Sequence, residues 1–393
     1  MTWPVVSLGE VCTVVAGGTP SRANPAYFDG DIPWVKIGDM LQGIVTSTDE
    51  TITDAAVKSS AAKVLPAGTV LISIFATIGR TATLGVDAAT NQAIAGVIPR
   101  DPSTLSPAFL RRYLDSIAAE LTRKAQGVAQ VNINSTVLRQ LQIPLPPAGA
   151  QWRIVEMLGQ ADALCSMRRD AISRLDELAH STFLDMFADT EAWPRLTVAD
   201  LAKNERGSIR TGPFGSQLLR EELVSEGIPV LGIDNVVTNE FAWDKRRYVT
   251  PEKYRQLQRY TVRPGDVLIS IMGTCGRCAV VPTDIPLAIS TKHLCCITLD
   301  PGKCLPDFLH AYFLQHPSAK SYLTRTAKGA IMAGLNMQII KDLPVALPPL
   351  IHQEKFVEKL NAINSAKSAH VRQIGKLVEL FDSLQYRAFR GGL

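Results

Sequence analysis

Residues 126–148 read QGVAQVNINSTVLRQLQIPLPPA, and residues 328–350 read KGAIMAGLNMQIIKDLPVALPPL. Laid over one another they share Gly127/Gly329, Asn134/Asn336, Leu141/Leu343 and the closing Leu145-Pro146-Pro147/Leu347-Pro348-Pro349, at a constant offset of 202. The offset continues without a gap. Gln151, Val155, Glu156 and Leu158 match Gln353, Val357, Glu358 and Leu360. Ile172, Leu175, Glu177, Leu178, Ser181 and Phe187 match Ile374, Leu377, Glu379, Leu380, Ser383 and Phe389. Self-similarity at a fixed spacing marks a duplicated structural unit, so one fold must be built twice.

Towards the N-terminus the pairs persist while the offset drifts. Trp3-Pro4 matches Trp193-Pro194, Ile32-Pro33 matches Ile228-Pro229, and GTVLISIFATIGRT (68–81) matches GDVLISIMGTCGRC (265–278). Drift means loop insertions, which surface loops tolerate. Each half is therefore a variable globular part followed by a near-constant segment.

That segment becomes helical after Pro147 and Pro349. Ile154, Leu158, Ala161, Cys165, Ile172, Leu175 and Ala179 step by fours and threes, with Arg168 in one slot. Phe356, Leu360, Ile363, Ile374, Leu377, Phe381 and Leu384 do the same, with Lys367 and His370 in the seam. A sustained 4-3 alternation is a coiled-coil seam. The blander reading is two amphipathic helices, each packed on its own domain. A shared register after the same Pro-Pro break favours helices that leave a domain and meet. Ile154, Leu158, Ile172, Leu175, Phe356, Leu360, Ile374 and Leu377 are the expected seam contacts.

Within the globular parts, residues 70–75 and 267–272 read as buried strands, and helical patterns appear at 107–124 and 306–326. The expected fold is α+β: two pseudo-repeated mixed α/β domains, 1–147 and 191–349, separated by long helices at 148–190 and 350–393 that form an antiparallel coiled coil.

Composition bounds the function. The formal charge is +4 over 393 residues. Residues 1–147 carry 11 Lys/Arg against 11 Asp/Glu, and residues 193–349 carry 19 against 14. Any polyanion must therefore be attracted by local patches rather than by a global field. The start MTWPVVSLGEV has no basic segment leading an apolar one, so no signal peptide is expected. No stretch approaches the roughly 18 apolar residues of a membrane span, and the expected location is cytoplasmic. Seven cysteines without an export signal point to reduced thiols. Cys275, Cys278, Cys295, Cys296 and Cys304 loosely resemble a zinc ribbon. Ile78 and Thr81 stand where the other copy has Cys275 and Cys278, however, so small buried side chains are expected and no metal.

Catalytic motifs are wanting. A phosphate-cradling GxxxxGK[ST] is absent, as is HExxH or a nucleophile elbow. Asn24-Pro25-Ala26-Tyr27 approaches the amine-gripping motif of amino-methyltransferases, yet it lacks the second proline and a glycine-loop partner. Binding is the better expectation. Base readout needs Arg, Lys, Asn and Gln at groove edges, with hydroxyls and amides on phosphates. Matched polar loops supply candidates: Thr19, Ser21, Arg22 and Lys36; Asn91 and Gln92; Gln126 and Gln130; Arg210, Ser216, Gln217 and Arg220; Lys245, Arg246 and Arg247; Lys292 and His293; Lys328. Each also has a bland role, a solvated face for the 245–247 triplet or a turn cap for Asn132 and Asn134.

These residues resemble a known family. The pattern through 138–158 and 340–360, the openers GGTPSR…YFDGDIPWVKIGDM (17–40) and IRTGPFGSQL…GIPVLGIDNV (209–236), and LIS followed by a G-R turn look like type I restriction-modification specificity subunits across essentially the whole chain. The resemblance implies two target-recognition domains, each reading one half of a gapped DNA site. It also implies helices that dock two adenine-N6 methyltransferase subunits, with or without two restriction subunits. S-adenosylmethionine, ATP and magnesium would belong to those partners, and this chain would be non-catalytic with no cofactor of its own. Residues 151–187 as one helix would span about 55 Å, so the half-sites should lie one to one and a half DNA turns apart. Two other classes stay open. A coiled-coil scaffold with duplicated protein- or glycan-binding domains predicts no salt-dependent DNA affinity, and an enzyme built on residues 24–27 predicts methyl-donor binding by the isolated chain.

Overall fold

The computed structural model describes residues 3–126, 133–189, 192–243, 246–327 and 335–392, without the side chains of 124–126 and 327. The chain divides into two units, residues 1–169 with 372–393, and residues 170–371.

In the first unit the apolar run Val70–Ser73 is wholly buried and becomes the middle strand of a five-stranded sheet. The strand order is Cys12–Ala16, Ile94–Pro99, Val70–Ser73, Thr81–Leu84 and Ile44–Val45. A second sheet orders Thr51–Ile52, Phe28–Val35, Ala88–Thr90 and Val64–Leu65. Here Phe28–Val35 and Ala88–Thr90 run parallel, with Trp34 opposite Ala89 and Val35 opposite Thr90. Val5–Ser7 pairs with Gln142–Pro144. The main core joins Val70, Ile72, Phe109, Leu114, Leu138 and Ile143 to Ile154 and Leu158 of the first long helix and to Ala388 of the second.

The second unit repeats this almost strand for strand. Val267–Ser270 pairs with Leu294–Ile297 as Val70–Ser73 pairs with Ile94–Pro99. The parallel pair recurs as Ile228–Leu231 with Ala288–Ser290. Arg195 faces Ala346 as Val5 faces Pro144. Its main core gathers Phe183, Phe187, Phe308, Tyr312 and Phe356.

The matched glutamines explain why the near-constant segment is so constant. Gln151 is 1 % exposed and Gln353 is fully buried. Gln151 Oε1 accepts from Ser106 N at 2.9 Å, and Nε2 donates to Thr104 O and Pro146 O at 2.8 and 2.9 Å. Gln353 Oε1 accepts from Leu305 N at 2.8 Å, and Nε2 donates to Lys303 O and Pro348 O at 3.0 and 2.9 Å. One amide thus satisfies three backbone groups where a long helix leaves its domain, which buried polar groups require.

The long helices are Ala148–Phe187 and Leu350–Arg390. In the first unit the start of one shares a core with the end of the other. In the second unit Phe183 packs on Phe356 at 5.5 Å, and Lys367 pairs with Asp176 at 2.8 Å. The helices therefore run antiparallel. All eight expected seam residues are buried or half-buried: Ile154, Leu158 and Phe356 fully, and Ile172, Leu175, Leu360, Ile374 and Leu377 partly.

Both helical patterns form helices, each with a break. The helical pattern at 107–124 is two helices, Pro107–Ser116 and Ala118–Gln126, because Ile117 leaves the helical region. The pattern at 306–326 likewise breaks into Pro306–Gln315 and Pro317–Ala327. There His316 is extended (ψ 130°), as a residue before proline prefers.

The cysteines fall on different cores. Cys278, Cys295 and Cys304 lie in one cluster and Cys296 in another. Burial pushes the Cys295 and Cys304 thiols up to about 12, which disfavours the thiolate that binds metal. Asn24 Oδ1 accepts from Ala26 N at 3.2 Å, so residues 24–27 form a capped turn. No described helix is long and apolar enough to cross a membrane.

Candidate nucleic-acid interface

In each unit the loops that follow the parallel strand pair converge at one rim. In the first, Gly17 N donates to Ile94 O and Gly18 N to Thr90 O, both at 2.9 Å, and Asn91 N donates to Val35 O at 3.0 Å. The opener loop is pressed so close that a Cβ on Gly17 would lie 2.0 Å from Asn91 O, which only glycine permits. This brings Thr19, Ser21, Arg22, Lys36, Asn91 and Gln92 to one side of the domain. Thr19, Ser21, Arg22 and Gln92 are exposed, and Lys36 and Asn91 half-buried. Asn91 Oδ1 is occupied by Ala93 N at 3.1 Å.

Arg22 and Lys36 both bind the carboxylate of Glu50, the former at 2.6 Å. Hydrogen bonding from Lys36 is the main cause that holds the Glu50 carboxyl below its usual range. Arg22 also lies over Phe28 and Trp34, with ring centroids at 4.6 and 5.5 Å. Trp34 itself is anchored by its indole N–H to Gly18 O at 3.1 Å.

The second unit repeats the rim with other side chains. A Cβ on Gly212 would lie 2.1 Å from Ser290 O, as Gly17 meets Asn91. Thr291 N donates to Leu231 O at 2.8 Å. Ser216, Gln217, Arg220, Arg246 and Lys292 are exposed, and Arg247 and His293 half-buried. Gln217 Oε1 accepts from Tyr260 OH at 2.7 Å, and Arg246 lies 5.7 Å from the Trp243 ring. Arg247 pairs with Asp234. Burial, then the charges of Lys292 and Arg247, depress the pKa of His293, so its ring is held neutral beside those two cations.

Arg210 does not belong to this rim. Its side chain is 10 % exposed. It donates to Asp266 Oδ2 at 2.6 Å, to Thr261 O at 2.6 and 3.1 Å, to Thr298 Oγ1 at 2.9 Å and to Gly207 O at 3.1 Å. Such a saturated guanidinium is a strut of the domain and has no donor left for a phosphate or base. Gln130, Lys245 and Lys328, with the Gln126 side chain and Asn132, lie outside the described residues. Asn134 takes the capping role, accepting from Val137 N at 2.9 Å, and Asn336 repeats it on Ile339 N at 2.9 Å.

Sequence reasoning missed Glu50 and Asp234, the carboxylates that hold these cations. It also missed Phe75 and Met272, each 38 % exposed where the matched central strands end. The repeat carried both signals, since Glu50 aligns with Arg247 and Phe75 with Met272 at an offset of 197.

The chain thus carries two copies of a polar-rimmed α/β domain. The family model described as the type I restriction modification DNA specificity domain matches residues 1–174 and 207–380, and the chain belongs to that family. A specificity subunit of a type I restriction enzyme from Escherichia coli is 30 % identical over 184 residues, 45 % of each chain. One from Methanocaldococcus jannaschii is 26 % identical over 192 residues, 48 % of this chain and 44 % of its own. The chain thus spans about half the length of these relatives. A crystal structure of the type I restriction-modification S subunit from M. genitalium has the same fold. It shows a TM-score of 0.57 at 15 % identity over 99 % of this chain and 96 % of that one. A chain from a study of type I complex assembly and conformational transition gives 0.64 at 19 % identity, covering 100 % and 98 %.

Proposed function

We propose that this chain is the DNA-reading subunit of a type I restriction-modification complex and that it recognises a gapped, two-part target, one part per domain. The observation that carries this is the duplicated rim. The same three loops converge twice on the end of a parallel strand pair, and different polar side chains occupy the two copies. Equivalent backbones with unlike side chains are what an asymmetric bipartite target calls for. Family membership supports the reading.

The long helices would dock two adenine-N6 methyltransferase subunits, with or without two restriction subunits. S-adenosylmethionine, ATP and magnesium would then reside on those partners, the chain would position chemistry rather than perform it, and the complex would work in the cytoplasm. Single-molecule sequencing of host DNA, with the gene intact and deleted, tests this. A two-part methylated adenine motif that disappears on deletion is the expected result. An unchanged methylation pattern, together with no salt-dependent DNA binding by the chain mixed with its methyltransferase subunit, would overturn it in favour of a scaffold.

A further inference from the structure

Glu50 and Arg247 occupy the same place in the two domains. Trp34 N donates to Glu50 O at 3.0 Å, and Val230 N to Arg247 O at 2.8 Å. The next residue faces the same proline in each, Thr51 opposite Pro33 and Tyr248 opposite Pro229. The sign of charge at this place is reversed, and in each domain the opposite charge comes from elsewhere on the rim. Glu50 draws in Arg22 and Lys36, while Arg247 draws in Asp234. Each domain so obtains one arginine, held by one carboxylate, beside the end of its parallel strands. The side chains of Arg22 and Arg247 are 58 % and 38 % exposed.

Pairing with a carboxylate decides what such an arginine can recognise. A phosphate is repelled by the carboxylate, which already offsets the guanidinium charge that would attract it. A base edge is neutral and presents acceptors in a fixed direction, so it gains from a guanidinium locked in orientation and loses nothing to the neighbouring carboxylate. The base whose major-groove edge offers two acceptors to such a fork is guanine, through O6 and N7. Arg22 also lies over the rings of Phe28 and Trp34.

We propose that Arg22 and Arg247 each read one guanine, one in each part of the target, with Glu50 and Asp234 as the positioning residues that fix the forks. The inference rests on the DNA-reading function proposed above. Its test is the methylation motif written by the full complex carrying Arg22→Lys or Arg247→Lys, substitutions that keep charge and bulk but remove the fork. Discrimination at one G·C position of one part should fall by about 5-fold to about 150-fold, with the other part unchanged as an internal control of folding. Glu50→Gln and Asp234→Asn should relax the same positions. A wild-type motif lacking a G·C pair in either part, an unaltered motif, or uniform weakening across a part would each overturn the assignment while leaving the DNA-reading function standing. A wild type that writes no two-part motif would remove that function and this inference together.

Discussion

Gln151 and Gln353 each hold three buried backbone groups, and no water can replace the amide where the residue is at most 1 % exposed. Gln151→Leu keeps the volume but strands Ser106 N, Thr104 O and Pro146 O. Each stranded group costs about 1–3 kcal/mol, so the first unit should lose several kcal/mol in urea or thermal melts, and Gln353→Leu should do the same to the second. A loss below about 1 kcal/mol would show that the helix exit is held by packing alone. Asp266 makes a sharper case. It is fully buried and accepts from Arg210, Arg263 N, Thr298 Oγ1 and Cys296 Sγ. Asp266→Ala leaves the Arg210 charge buried without its counter-ion, at a cost of about 3–5 kcal/mol, whereas loss of a rim cation such as Lys292 should leave the melting curve unmoved. At this scale the sequence was only partly legible. The matched glutamines stood out because the repeat kept them. Arg210 stands beside a glycine-rich loop and so resembles a DNA contact, because four of its five hydrogen bonds reach partners 51 to 88 residues away and spacing along the chain gives no hint of them.

Elements were more legible, since periodicity survives without knowledge of partners. The residues of the expected seam are buried or half-buried, and Ile154, Leu158 and Phe356 among them pack into the cores of the domains. Amphipathic spacing runs through the breaks within 107–124 and 306–326 and hides them, while the decisive signal in the second was Pro317. That break creates a pH-sensitive joint. His316 is 2 % exposed, stacks on Tyr312 at 4.3 Å, donates from Nε2 to Phe187 O at 3.1 Å and accepts at Nδ1 from Ser318 N at 3.1 Å. Only the neutral ring can serve both partners, and burial lowers its pKa below 6.5. As pH falls through 6.5 the unfolded chain takes up a proton that the folded chain refuses, so stability is full above that value and declines below it. Melts at pH 7.5 and 5.5 should therefore differ by more in the wild type than in His316→Gln, and equal differences would exclude the joint. In the neighbouring aromatic cluster, Phe183→Ala removes a ring that touches Phe187, Phe308 and Phe356. It should cost about 3–5 kcal/mol, with the loss read as an earlier thermal transition.

At the scale of the whole molecule the two domains share a backbone plan but not a charge. Residues 1–147 balance 11 cations against 11 anions, while residues 193–349 carry 19 against 14. The sequence showed this asymmetry plainly. What it could not show is which cations are already neutralised, because Arg22, Lys36 and Arg247 meet their carboxylates only in the fold. Counterion release depends on the cations that remain to meet phosphates, and Arg220, Arg246 and Lys292 are exposed on the second domain. Replacing those three with alanine in the assembled complex should flatten the slope of log affinity against log salt by up to about 0.9 per lost phosphate contact, roughly 2 to 3 in total. The preferred bases should not change, since phosphates carry no sequence. Anisotropy titrations of labelled target DNA across a salt series measure the slope, and competition with single-base variants measures the preference. An unchanged slope would move these cations off the interface, and a changed base preference would make them readers rather than anchors.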